Sequence, residues 1–233
     1  MEIGYKFDPV KHVHTLDGKP LHGVTSVLKN WGDPGALINW AAGCAVDAMV
    51  AGESAEEAKK AHLKKRDKAG DKGTEIHKYL EDSLNLWIED GQPGLNEIEV
   101  VQQVLNWMVD NNIKPLKSEM QVYSRSLWYG GIADGVIEKD GKKYILDFKT
   151  SGSIQTKAFY QCGAYSYAVR EMVAFDANRY PEGVVIVHIP KGKSFDPKKN
   201  VYWRYDIGQL ENAFVNILET YKIDQGVQKQ IKY

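Results

Sequence analysis

Apolar residues recur at helical spacing twice in the first half of this chain. Ile76, Leu80, Leu84 and Trp87 fall on one face of a segment starting at Thr74, and Ile98, Val101, Leu105 and Met108 repeat the pattern over 97–110. Pro115 then ends the helical pattern. Beyond it, 117–126, 129–139 and 143–150 read as three strands joined by tight turns, and 155–172 as a helix. The run Gly183-Val184-Val185-Ile186-Val187 opens a short apolar stretch, 184–190, of the kind found in a buried strand. A further strand is expected at 201–205 and a last helix at 209–222. Towards the N-terminus, Leu16-Asp17-Gly18-Lys19 predicts a hairpin within 5–28, because Asp-Gly suits a tight β-turn. Helices are expected at 40–51 and 55–69, with Gly70 and Gly73 interrupting before the next one. From residue 97 the order is helix, three strands, helix, strand. The chain therefore reads as one α/β domain over 1–233, with 97–190 as its α-β-β-β-α-β core and 20–96 as a helical elaboration.

Composition narrows the setting. Of 233 residues, 43% are hydrophobic and 26% charged, ordinary proportions for a globular protein. The opening MEIGYKFDPV lacks the pattern of a signal or transit peptide, and no stretch approaches the roughly 20 apolar residues of a membrane span. The expected location is the cytoplasm of a bacterium, or of the host if the protein is viral, with no membrane partner. Two cysteines, Cys44 and Cys162, are too few for a disulfide framework or a four-cysteine metal site, and are expected to be buried. A net charge of −1 excludes an indiscriminately basic nucleic-acid binder, so any contact with DNA depends on local positive charge.

The most informative stretch is GGIADGVIEKDGKKYILDFKTS, residues 130–151. A two-residue turn at Asp140-Gly141 pairs Lys139 with Lys142, and the same register carried along the hairpin sets Asp134 opposite Asp147. Opposed side chains lie roughly 4.5–5.5 Å apart at Cβ, where like charges destabilise a sheet. A cation held between them removes the conflict, and all-oxygen ligation at short range suits Mg2+ or Mn2+. Lys149, two residues beyond Asp147, points to the same face, where it can orient or deprotonate a water or stabilise developing negative charge. That grouping suits phosphodiester hydrolysis. The bland alternative is an exposed edge hairpin in which Lys149 neutralises one acid.

Further segments fall into a consistent order: GTEIH with His77, SEMQV with Glu119, GGIADG with Asp134, LDFKTS with Asp147 and Lys149, and QCGAY with Gln161 and Tyr165. This order resembles the RecB-like branch of the PD-(D/E)XK nuclease superfamily, including small viral and mitochondrial DNA exonucleases, over about residues 20–170. HGVTSVL at 22–28 is similar to the segment preceding the helical region of those exonucleases. The resemblance implies a restriction-endonuclease-like core, a central mixed sheet flanked by helices. It implies a divalent-metal site of His77, Asp134, Asp147 and the Phe148 carbonyl, with Lys149 catalytic and Glu119 a supporting acid. Gln161, Tyr165 and Thr150 would contact the site or the DNA. It implies phage-type DNA recombination or repair as the setting and a recombination or replication protein as a further partner. With two cysteines, the iron–sulfur subgroup is excluded.

The function expected from this reading is a Mg2+- or Mn2+-dependent deoxyribonuclease, an exonuclease acting on DNA ends or single strands. A structure- or sequence-selective endonuclease and a non-cleaving DNA-binding module of the same fold are the alternatives. Lys64, Lys65 and Arg66, just before the His77 helix, are expected to meet phosphates, ahead of a second basic group at Lys191, Lys193, Lys198 and Lys199. His12, His14 and His22 are expected on the surface. Trp31, Trp87, Trp107 and Tyr129 are expected in the core.

Overall fold

A computed structural model describes residues 4–29, 31–32, 34–173, 180–190 and 192–231. Within these residues the chain is an α/β protein whose six-stranded mixed sheet carries helices on both faces, beside a small three-stranded sheet. The small sheet comprises β1 (Tyr5–Asp8), β2 (Val13–Leu16) and β3 (Lys19–Pro20). Its β2–β3 turn is the expected one: Asp17 and Gly18 have φ of 51° and 75°, and Leu16 pairs with Lys19. Arg125 ties this turn to the main body through a 2.6 Å ion pair with Asp17. His14 is buried rather than on the surface, with its Nδ1 2.7 Å from the Tyr5 hydroxyl.

The main sheet is built around β6 (Tyr129–Lys139) and β7 (Lys142–Lys149). Asp140 and Gly141 have φ of 53° and 73°, so the turn is the left-handed kind that matches strand twist. The pairs run Lys139–Lys142, Glu138–Lys143, Ile137–Tyr144, Val136–Ile145 and Gly135–Leu146, the register expected from the turn. The ladder ends there, one pair short of the two aspartates. One edge of β6 is taken along its length by antiparallel β5 (Lys114–Ser124). The other edge is shared: β7 takes its C-terminal half, and β4 (His22–Gly23) pairs in parallel with Tyr129 and Gly130. Residues 131–134 therefore border a fork, from which β7 departs to pair with β8 (Pro181–His188), itself followed by β9 (Val201–Arg204).

Alternation along these central strands feeds two cores. Ile145, Val184 and Ile186 pack under α1 (Val24–Val27), α5 (Thr156–Met172) and α7 (Ile207–Ile231), together with Tyr129, Phe214 and Leu218. Tyr144, Leu146, Phe148, Val185 and Val187 face the opposite way, onto Leu80, Leu84 and Trp87 of α3 (Ala55–Asp90) and the apolar face of α4 (Glu99–Asp110). Gly163 allows α5 to approach α7 closely, since a Cβ there would sit 2.5 Å from the Leu210 carbonyl carbon. A short helix, α6 (Pro197–Asn200), precedes β9.

Helix α3 departs from expectation. It runs unbroken for 36 residues, through Gly70 and Gly73, from a Ser54–Glu57 capping box to Gly91 in the left-handed C-terminal conformation. Each glycine weakens a helix by about 1 kcal/mol, which the capped start and the buried Leu80, Leu84 and Trp87 outweigh. With α2 (Pro34–Val50) the first half of α3 forms a helical pair joined through four small buried residues, Cys44, Ala48, Ala58 and Ala61. Both cysteines are free and buried. No helix among the described residues is long and apolar enough to cross a membrane.

Candidate active site

The fork between β6 and β7 is where the chemistry gathers. Asp134, on β6 just beyond the last ladder pair, accepts a 2.7 Å hydrogen bond at Oδ2 from the Phe148 N–H, so a side chain takes over where backbone pairing stops. In an extended strand a residue's N–H and C=O lie on the same edge. The Phe148 carbonyl therefore faces the fork as well. The backbone of the neighbouring Lys149 turns the other way, its carbonyl accepting from the Ile189 N–H at 2.8 Å.

Asp147 is fully buried and ion-pairs through Oδ2 with the Lys149 ammonium, whose side chain is about a quarter exposed. Its other oxygen, Oδ1, has no hydrogen-bond partner among the described residues. An unpartnered buried carboxylate oxygen is costly and calls for a ligand. Burial raises the pKa of Asp147 to about 6; Lys149 opposes the rise and Asp134 adds to it. Burial likewise raises Asp134, against the pull of Lys149 and of the Phe148 N–H. For Lys149, burial works against the charged form, but Asp147 and Asp134 outweigh it and hold its pKa above the usual lysine value.

His77 reaches the same fork from α3. Its Nδ1 lies 3.7 Å from Asp134 Oδ2, and its ring meets that of Phe148 edge-on. Burial, then Lys149, lowers its pKa, leaving a neutral imidazole suited to ligation. The helix comes this close because of Gly73, where a Cβ would stand 2.7 Å from Thr150 Oγ1. Glu119 falls opposite Asp134 if the β5–β6 register is carried through Ser118–Gly135 and Met120–Ala133. Its φ of 46° is a left-handed conformation unusual for a strand residue, a form of local strain that collects at functional sites. Although Glu119 is solvent-accessible overall, partial burial of its carboxyl, then the negative charges of Asp134 and Glu81, push its pKa up to about 7.

Tyr165 is buried against Gly131, where a Cβ would fall 2.6 Å from its ring, and its hydroxyl accepts a 2.7 Å hydrogen bond from Gln161 Nε2. Burial and the charge of Asp147 and Asp134 raise its pKa well above the ordinary tyrosine value. Gln161 also lines a cavity of about 400 Å3 with Lys149, Thr25, Lys29, Ser151, Gln155 and Lys157. Among the described residues, three lysines and no acid line this cavity.

His77, Glu119, Asp134, Asp147, Phe148, Lys149, Thr150, Gln161 and Tyr165 thus gather around one fork. Lys64, Lys65 and Arg66 do not. They are exposed on α3 and face nearby acids, Glu53 at 3.9 Å, Asp47 at 3.0 Å and Asp67 at 2.8 Å. At 1.5 Å per residue, Arg66 stands roughly 16 Å along the helix from His77. Of the second basic group, Lys191 lies outside the described residues, and Lys199 pairs with Asp196 at 3.2 Å. Trp31 is corrected: it is 45% exposed, whereas Trp87, Trp107 and Tyr129 are core as expected. Glu81, whose charge acts on Asp134 and Glu119, was legible as the residue one turn after His77 on the same face. Lys29 and Lys157 carried no sequence signal, since only the fold brings them beside Lys149.

The donor set fits a hard divalent cation: two carboxylates, one of them with an orphaned buried oxygen, a neutral imidazole and a backbone carbonyl. Among the described residues no three His, Cys, Asp or Glu side chains already converge as a closed ligand set, and Asp147 is engaged by Lys149. No protein-family model matches the chain, and no curated protein matches its sequence.

Proposed function

We propose that this chain is a divalent-metal-dependent deoxyribonuclease of the RecB-like PD-(D/E)XK type, an exonuclease acting on DNA ends or single strands. One observation carries the reading. A fully buried aspartate with a free oxygen lies beside a second aspartate and Lys149, and Lys149 in turn lines a cavity whose charged residues, among those described, are all lysines. A purely structural role for Asp147 gives no reason to leave Oδ1 unpartnered in the core.

His77, Asp134, Asp147 and the Phe148 carbonyl would hold Mg2+ or Mn2+. The cation would supply Lewis-acid polarisation of a phosphodiester and make a nearby water more acidic. The chain's own groups do the rest. The ion pair with Asp147 keeps Lys149 protonated, so its part is to stabilise negative charge building on the phosphate. Glu119, with a pKa near neutrality, is suited to accept a proton from the attacking water. The Gln161–Tyr165 pair fixes the wall against which the phosphate would rest. Lys29 and Lys157 draw the backbone in.

The test is degradation of end-labelled DNA. Wild type should act with Mg2+ or Mn2+ and stop in EDTA. Lys149→Ala and Asp147→Asn should each lose about 100-fold or more in rate. Full activity in EDTA, or in Lys149→Ala, sinks the proposal. A covalently closed circle separates the exonuclease from an endonuclease, since only the latter opens it.

A second reading has its own observation. The Lys149–Asp147 pair already neutralises the deepest carboxylate, as in a module that binds DNA without cutting it. Calorimetric titration with Mn2+ decides: no uptake together with retained DNA affinity favours the module.

A further inference from the structure

Two rings beside the lysine-lined cavity have no part in the chemistry above. Trp31 follows Lys29 by two residues, and Tyr160 follows Lys157 by one turn of α5. The rings stand edge to face with centroids 6.4 Å apart, and together with Ala213, Asn216, Ile217 and Thr220 they line a pocket of about 220 Å3. Among the described residues this pocket has no charged side chain in its lining. Trp31 is too exposed to be explained as core packing. Among the described residues no carboxylate lies within 4 Å of the Lys29 or Lys157 ammonium, unlike Lys64 and Lys65 on α3, which have acids at 3.9 and 3.0 Å. The first turn of α5 adds backbone N–H groups with no side-chain cap, again beside Lys157. Cations without a carboxylate partner among the described residues thus lie close in the chain to the walls of an apolar aromatic slot, and Lys149 lines the same cavity as both lysines.

We infer that this groove, between Leu28, Lys29 and Trp31 on one side and α5 on the other, is the track for a single-stranded polynucleotide, with phosphates at Lys29 and Lys157 and a base against Trp31 and Tyr160. The inference rests on the nuclease reading for where the track leads, and it specifies the substrate as unpaired strand. In a duplex the faces of the bases are already stacked on their neighbours. An unpaired base has its face free for an aromatic ring, whatever its sequence. Each of the two elements carries one lysine and one aromatic residue, the groups that a phosphate and a base call for.

The experiment measures binding of a fluorescein-labelled oligothymidylate by anisotropy in EDTA, beside a blunt duplex of the same length, and cleavage of both with Mn2+. Wild type should prefer the single strand. Trp31→Ala should weaken binding about five- to 100-fold, as loss of a base–aromatic stack does, and raise KM more than it lowers kcat. Trp31→Phe should restore most of the affinity. The double variant Lys29→Ala/Lys157→Ala should reduce the slope of log K against log salt by about 1.4, the loss of two phosphate contacts on a single strand. Because Trp31 is exposed, its variant should melt as wild type and take up Mn2+ unchanged. Tyr160→Ala serves as the second probe from the opposite wall. Wild-type affinity in both aromatic variants, an unchanged salt slope in the lysine variant, or no single-strand preference overturns the inference. In those cases Mn2+-dependent cleavage by wild type would leave the nuclease reading standing. A wild type that neither binds nor cuts removes both.

Discussion

The two halves of α3 sit in different surroundings. Its C-terminal half is pressed onto the sheet through Leu80, Leu84 and Trp87, inside a cluster of large buried side chains. Among the described residues its N-terminal half packs on α2 around four small buried residues and through an edge-to-face contact of His62 with Trp40, while Leu37, Ile38, Val46, Met49 and Val50 of α2 stay exposed, Val50 by 84%. Buried apolar area sets local stability, so one helix spans a rigid part and a loosely held part. His77 lies at the join, anchored to the rigid side, and Gly73 marks the point where the helix first touches the sheet domain. The site is therefore built on the part of the molecule that does not yield, and the loosely held arm projects from it.

Core truncation should most strongly separate the sheet and its covering helices from the loosely held α2 arm. Phe214 is fully buried, edge-on to Tyr129 with centroids 4.9 Å apart. Phe214→Ala should cost about 3–5 kcal/mol in denaturant unfolding. Val46→Ala, on the exposed face of α2, should stay within about 0.5 kcal/mol. Comparable losses in the two variants would mean that α2 is packed as tightly as the sheet.

A smaller effect comes from the acids at the fork. Asp147, with a pKa raised from 3.8 to about 6, and Glu119, raised from 4.5 to about 7, hold protons in the folded protein that the unfolded chain has released. For these two acids the unfolded state binds fewer protons between those limits, so their contribution to stability falls as pH rises from about 4 to 7 and levels off beyond, while His14, His22 and His77, whose pKa values burial lowers, contribute in the opposite sense below about 6.5. Asp147 alone accounts for on the order of 2–3 kcal/mol of that fall. Thermal melts in EDTA across this range should show the decline as a difference between wild type and Asp147→Asn, in which the histidines cancel. Mn2+ should reverse it, with the gain in Tm growing with pH over the same window. A flat difference would show that Asp147 is already compensated.

The sequence revealed the hairpin register because it depends on two residues, Asp140 and Gly141, whose turn chemistry is local. The face that Asp134 and Asp147 share with Lys149 followed from that register. The termination of the ladder at Gly135–Leu146 did not, because it arises from competition among β4, β7 and β8 for strand edges far apart in the chain. The exposure of Trp31 was hidden for the same reason: an indole is core or surface according to what packs over it. The basic run at Lys64–Arg66 looked like a DNA contact because charge is visible in sequence, whereas its neutralisation by Glu53, Asp47 and Asp67 depends partly on how α2 returns along α3. Lys29 and Lys157, isolated in sequence, became a pair only through folding.

The smallest effect distinguishes the two parts within a single turn of helix. Gly70 and Gly73 look equivalent in sequence, and both were expected to break α3. A Cβ at Gly70 meets nothing within 4 Å, so Gly70→Ala should strengthen the helix by roughly 0.5–1 kcal/mol through propensity alone. A Cβ at Gly73 would stand 2.7 Å from Thr150 Oγ1. Gly73→Ala must push α3 away from the end of β7 or turn the Thr150 side chain. The first response carries His77 away from Asp134 and weakens Mn2+ uptake; the second leaves uptake intact. Gly73→Ala/Thr150→Ala removes the obstructing hydroxyl and, if the contact is what matters, restores both the melting temperature and Mn2+ affinity towards those of Thr150→Ala alone. Equal gains in stability from Gly70→Ala and Gly73→Ala would mean that the helix does not bear on the sheet at this point, and that His77 is held in the fork by Leu80 and Leu84 alone.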